Sequence, residues 1–139
     1  MKKLLIIAAV LAVCAGVWFI CSREKVPAAA ETQAAPAAEA ERAAAFVSEF
    51  RAVLAANDLV KLKALCDNPK SGDLAAQLQL LRGAELPEKP ERVEFRTARS
   101  DSWSLCYPVD GGMIQIVLRR VDDGSFRFKS AYRLREGRP

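Results

Sequence analysis

The sequence predicts an α+β protein: an N-terminal membrane helix, a tether, then two or three helices packed on a four-stranded antiparallel meander. Three observations carry this expectation. Residues 4–21 hold neither a charge nor a proline, apolar residues recur at helical spacing between residues 39 and 82, and from residue 92 the period changes from 3.6 to 2. In a chain of 139 residues this leaves about a hundred residues to fold, enough for one modest domain. The organisation read from these patterns is a membrane or signal segment at 1–21, an Ala/Pro/Glu-rich linker at 22–38, a small α+β domain at 39–135 and a tail at 136–139.

The first segment, LLIIAAVLAVCAGVWFIC after Met1-Lys2-Lys3, is eighteen residues long. As a helix it spans roughly 27 Å, close to the hydrocarbon thickness of a bilayer and longer than a secretory h-region of about 7 to 15 residues. Length therefore favours an uncleaved single-pass anchor in the inner (cytoplasmic) membrane of a bacterium. Trp18 and Phe19 suit the outer interface, and Lys2 and Lys3 place the N-terminus in the cytoplasm, although Arg23 and Lys25 oppose that orientation. Two alternatives stay open. Val26 and Ala28 match the small-residue positions of a signal-peptidase site, which would yield a secreted protein. Leu11-Ala12-Val13-Cys14 resembles a lipobox, with Val13 bulky where that motif wants a small residue.

Residues 22–38 (SREKVPAAAETQAAPAA) contain Pro27, Pro36 and no large apolar side chain after Val26. Such a segment reads as a flexible tether. Helical periodicity then begins near Glu39, with Phe46, Val47, Phe50, Val53 and Leu54 on one stripe. Asn57-Asp58 breaks it, and Asp58 is placed to cap a short helix at 59–66 with Leu59, Leu62, Leu65 and Cys66 inward. Asp73 is the expected N-cap of a third helix, with Leu74, Leu78 and Leu81 inward and Gly83 past its end. Pro87 and Pro90 mark an extended connection.

Four strands are expected at 92–100, 102–109, 113–121 and 126–134. Their inward residues are Val93, Phe95 and Thr97; Trp103, Leu105 and Tyr107; Ile114, Ile116 and Leu118; and Phe126, Phe128, Tyr132 and Leu134. The connections are Asp101, Asp110-Gly111-Gly112 and Asp122-Asp123-Gly124, short enough to make a meander whose apolar face the helices cover.

Composition bounds the chemistry. Histidine is absent, which removes the commonest general base, the commonest metal ligand and any imidazole triad. The net charge of +4 comes from the C-terminal part, since residues 1–91 carry 11 basic and 11 acidic groups and residues 92–139 carry 10 and 6. Arg92, Arg96, Arg119, Arg127, Lys129 and Arg133 fall mostly in the polar register of the strands. They make either a solvated face or a face for an anionic headgroup or acidic protein. The aromatics lie in the other register, so the stacking platform of a single-strand nucleic-acid binder is missing and no nucleic acid is expected. Phe95, Trp103, Tyr107 and Phe128 line a pocket if the sheet is cone-shaped, and are otherwise core. Cys66 lies on the helical apolar stripe and Cys106 faces the opposite side of its strand from Trp103, Leu105 and Tyr107 unless a bulge near Pro108 reverses it, which argues for two separate thiols over a disulfide. No metal, cofactor or phosphate-loop pattern occurs.

The run FVSEFRAVLAANDLVKLKALC, a leading helix with an N-D-L break, and the closing charged hairpin IQIVLRRVDDGSFRFKSAYRL together resemble the nuclear-transport-factor-two-like, cone-shaped α+β superfamily over about residues 40–135. That resemblance implies either an enzyme with a carboxylate in the cone, as in ketosteroid-isomerase-like members, or a non-catalytic binding or assembly domain. Glu94 and Glu136 fall in polar registers and Asp101, Asp110, Asp122 and Asp123 in turns. The expectation is therefore a non-catalytic module with a protein partner in the envelope and the membrane as partner through residues 4–21. A small-ligand carrier or pocket enzyme using Asp101 or Glu94, or a structural envelope protein, are the alternatives.

Overall fold

A computed structural model describes residues 32–96 and 99–135, apart from the side chains of residues 99 and 100. The described residues belong to one compact unit, residues 31–139. The expected membrane segment, the cleavage site after Ala28, the lipobox at Cys14, the start of the tether and the tail lie outside the described residues. No described helix is long and apolar enough to cross a membrane.

The fold is α+β: three helices pack on one face of an antiparallel sheet. The elements are β1 (Thr32–Ala34), α1 (Ala37–Ala55), α2 (Leu59–Leu65), α3 (Leu74–Gly83), β2 (Arg92–Arg96), β3 (Arg99–Val109), β4 (Gly112–Arg120) and β5 (Phe126–Arg135). The sheet has five strands in the order β1-β2-β3-β4-β5, with every neighbouring pair antiparallel.

The first correction is β1. Its three side chains are all exposed, so it adds backbone hydrogen bonds and no buried surface. Thr32, Gln33 and Ala34 pair with Arg96, Phe95 and Glu94, and the Ala35 amide donates to the Val93 carbonyl at 2.9 Å. A strand of this kind leaves no apolar trace, which is why 22–38 reads as tether throughout. Helix α1 likewise starts before Glu39, directly after Pro36.

Helix α1 buries the stripe Ala43, Val47, Phe50, Val53 and Leu54 against the sheet. The Phe50 ring stacks on Phe128 with centroids 4.5 Å apart and planes 12° apart, while Phe46 lies 6.3 Å from Phe126. Asn57, at φ 55°, ends the helical path in a left-handed conformation that asparagine tolerates, and its Oδ1 accepts from Arg82 Nη2 at 2.7 Å. Asp58 caps α2, accepting from the Lys61 amide at 3.2 Å. Leu62 and Cys66 are buried as expected, but Leu59 in the first turn is 56% exposed. Asp73 precedes α3 without a side-chain capping bond.

Beyond α2 the chain runs beside the outer edge of β5. Cys66 bridges to Phe128 in parallel fashion, and the Asp67 amide donates to the Phe128 carbonyl at 2.8 Å. On the sheet, Leu105, Tyr107, Ile114, Ile116, Leu118 and Phe128 are buried on the helix side. Arg96 pairs with Arg99, so the β2–β3 reversal precedes Asp101, which belongs to β3 and not to a turn. Gly111 adopts φ 76° in the β3–β4 turn, and a Cβ at Gly112 would collide with the Leu134 carbonyl oxygen.

The second correction concerns β5. Leu118 pairs with Phe128 whereas its neighbour Val117 pairs with Ser130, leaving Lys129 as an extra residue. This bulge reverses the alternation that follows it. Ala131 and Arg133 come to the helix side opposite Ile116 and Ile114, and Tyr132 and Leu134, expected inward, stand 51% and 42% exposed on the other face.

If the Phe50–Phe128 stack holds α1 to the sheet, Phe128→Ala should lower unfolding free energy by about 3–5 kcal/mol. Tyr132→Ala should change it by no more than about 1 kcal/mol. Urea denaturation followed by far-ultraviolet circular dichroism measures both.

Candidate functional site

The bulge separates the six predicted cations. Arg92 lies exposed on the outer face, its Nη1 3.6 Å from Glu94, and its Nη2 reaches the sulfurs of Cys106 and Met113 at 4.0 and 3.9 Å. Arg119 is on the same face, held at 3.0 Å by Asp67 and 3.7 Å by Asp101. Arg127, half buried, turns back on its own strand and donates to the Phe126 carbonyl at 2.9 Å and Ser125 Oγ at 3.2 Å. Arg96 ends β2, and Lys129 projects from the bulge. Arg133 belongs to the opposite register, where its Nη2 donates to the Asp110 carbonyl at 2.8 Å. Acids thus stand beside Arg92 and Arg119 in the expected basic set, and Arg133 lies in the other register.

The aromatic set comes together as core. Trp103, Tyr107 and Phe128 are 4%, 1% and 1% exposed, Phe95 is half buried, and Phe95 stacks on Trp103 at 5.3 Å. Cys66 and Cys106 are both buried free thiols on opposite faces of the sheet layer. Burial pushes each thiol up in pKa, with the Arg92 guanidinium partly opposing this at Cys106. Among the described residues no group of three or more His, Cys, Asp or Glu side chains is gathered as a metal site would require.

Two features were missed by the pattern of residues. The first is a carboxylate at the edge of the helix-side core, supplied by α1 and not by a strand. Glu39 meets Arg120 of β4 at 3.1 Å, and the Arg120 guanidinium lies 5.8 Å from the Trp103 ring and 5.9 Å from the Phe126 ring. Arg42 joins this corner, reaching Glu39 at 3.7 Å and the Gly124 carbonyl at 3.2 Å. With its charge paired and its partner stacked on two rings, Glu39 acts as a clasp between α1 and the β4–β5 turn.

The second is a pair of clefts. One, of about 830 Å³, opens between residues 83–87 after α3 and the β3–β4 turn at Pro108, Val109 and Asp110, with Ile114 and Arg133 also in its wall. The other, of about 720 Å³, runs between the alanine-rich start of α1 and β2, bordered by Glu41, Glu88, Glu91 and Glu94. The outer face of the sheet completes the candidate surface. Around the exposed Tyr132 and Leu134 lie the half-buried Met113 and Val117. In this register Met113 is opposite Leu134, and Val117 is opposite Ser130.

Asp101 and Glu94, the acids with a catalytic alternative, are tied to Arg119 and Arg92 in ion pairs. The arrangement offers contact surface, cations and backbone edge for recognition. Comparison with known protein families, curated proteins and solved structures gives no match to this chain.

Tyr107 supplies a titration test of the core. Burial pushes its phenol up to about 12, with the nearby Arg51 guanidinium opposing weakly. The fold therefore keeps the proton after the unfolded chain has lost it. The resulting contribution to stability is fully present below about pH 10 and is lost between about pH 10 and 12, at about 1.4 kcal/mol per pH unit. In Tyr132→Phe, where Tyr107 is the remaining tyrosine, the phenolate absorbance should rise near pH 12 instead of 10. Tyr107→Phe should remove this part of the alkaline loss of stability.

Proposed function

We propose that this chain is a membrane-tethered extracytoplasmic protein whose folded domain works as a non-catalytic binding or assembly module. Residues 4–21 hold it at the inner membrane, and the domain lies outside the cytoplasm. The eighteen uncharged residues after a dilysine start support the placement.

The observation that carries the binding role is the outward turn of Tyr132 and Leu134 after the Lys129 bulge. The buried core lies on the opposite face of the sheet, so these two apolar side chains stand about half exposed on the strand that also carries Lys129. A rigid strand that presents an aromatic and an aliphatic side chain among cations suits docking to a protein. The fold-level reading within this proposal is the nuclear-transport-factor-two-like superfamily, motivated by helices that precede an antiparallel meander. A small-ligand carrier is the second reading, favoured by the cleft of about 830 Å³ beside Arg133.

Two measurements test the proposal on the full chain in membranes of its native host. The intact mass of the washed membrane form should equal the chain from Met1. Loss of residues 1–28, or a diacylglyceryl adduct on Cys14, would replace the anchor by secretion or lipidation. A photo-crosslinking phenylalanine analogue at Tyr132 should give a discrete adduct, while the same group at Lys61 should not. Equal labelling at both sites, or none at either, would sink the docking role of this face.

A further inference from the structure

The half of the β5 edge beyond Phe128, which faces α3 across a groove, has the chemistry of a strand-accepting site. The Phe128 carbonyl points away from β4, because it accepts from the Asp67 amide. Its partner Leu118 lies two residues from Ile116 and four from Ile114 on an unbroken β4, and these pair with Ala131 and Arg133. Alternation along β4 then directs the backbone N–H and C=O of Ala131 and Arg133 to the same outer edge as those of Phe128. The segment at Cys66 and Asp67 occupies this edge at Phe128 alone. Beyond it, among the described residues, the outward groups of Ala131 and Arg133 have no backbone partner.

This stretch forms one wall of a groove of about 380 Å³ whose other wall is α3. Ala76, Gln77 and Leu80 face it, with Asp73 at one end. The strand itself carries Arg127, Lys129, Arg133 and Arg135 and no acid. Arg133 spends one donor on the Asp110 carbonyl and keeps others. An incoming strand would set alternate side chains beside Tyr132 and Leu134 on one face and beside Arg133 and Arg135 on the other. A second copy of β5 in that position would bring four more cations against these four. The charge balance thus selects a different occupant.

We propose that the edge of β5 from Ala131 to Arg135 binds an extended protein segment in which acidic and apolar residues alternate, by addition of a strand to the sheet. This rests on the binding-module reading above and specifies the partner's chemistry.

The test uses the full chain in neutral detergent micelles, with a fluorescent peptide of alternating glutamate and valine and its lysine–valine counterpart as probes. The acidic probe should bind and the basic probe should not. The Ala131 and Arg133 amides should gain protection from hydrogen exchange when the acidic probe is added. Arg133→Glu combined with Arg135→Glu should weaken binding by about tenfold. Ala131→Pro, which deletes an outward N–H, should abolish it. Since the Ala131 side chain is buried, circular dichroism must show that this variant folds, and the charge reversal decides the matter if it does not.

Absence of binding, or binding that leaves both amides unprotected, overturns the inference. So does protection of the same amides by self-association without peptide, or binding to phosphatidylglycerol vesicles in place of the peptide. A Tyr132 crosslink that persists when the probe fails would leave the docking face standing and remove only the acidic-strand partner.

Discussion

One constraint organises this domain: a five-stranded sheet with helices on a single face must bury that face through a few large contacts. Phe50 on Phe128 is the central one, since it joins the middle of α1 to β5, the last strand in the order. Leu105, Ile114, Ile116 and Leu118 fill the layer between, and α2 and α3 close it with Leu62 and Leu81. Among the described residues no helix packs on the other face of the sheet, and strand register decides which side chains stand there.

Register on that face turns on Lys129. One extra residue in β5 exchanges the faces of every side chain from Ser130 to Arg135 relative to plain alternation. Tyr132 and Leu134 leave the core, Ala131 takes the space opposite Ile116, and Arg133 moves to the cleft beside Asp110. The same strand thus supplies core before the bulge and contact surface after it. Its outer edge is divided in the same way, with Phe128 bonded to the passing chain and Ala131 and Arg133 without a backbone partner there among the described residues.

Much of the fold was legible because burial leaves a period. The stripe from Phe46 to Leu54, the Asp58 cap and the strands around Leu105, Ile116 and Phe128 each announce themselves through spacing. Features held by backbone bonds do not. Strand β1 contributes Thr32, Gln33 and Ala34 with exposed side chains, so nothing in their chemistry marks them. The Lys129 bulge is equally silent, since Phe-Arg-Phe-Lys-Ser-Ala-Tyr-Arg-Leu alternates well enough to suggest an unbroken strand and contains no glycine or proline. The candidate surface shared that fate. Its cations were readable as residues, but the acids that neutralise Arg119 come from Asp67 in a distant loop and from Asp101, read as a turn. Glu39 and Arg120 escaped notice because a charged residue in the first helical turn and one at a strand end both look like ordinary surface.

The short ladder of β1 also gives the domain a mechanical character. Tension that enters through the chain preceding Thr32 meets three residue pairs on β2 and the Ala35 bond first. It then reaches the Glu39 and Arg42 contacts with Arg120 and Gly124, and only afterwards the aromatic stack. The side chains of β1 are themselves exposed, so peeling this strand withdraws none of them from the core. The domain thus has a small extensible link at its leading edge, able to absorb a pull without unfolding the surface that β5 presents.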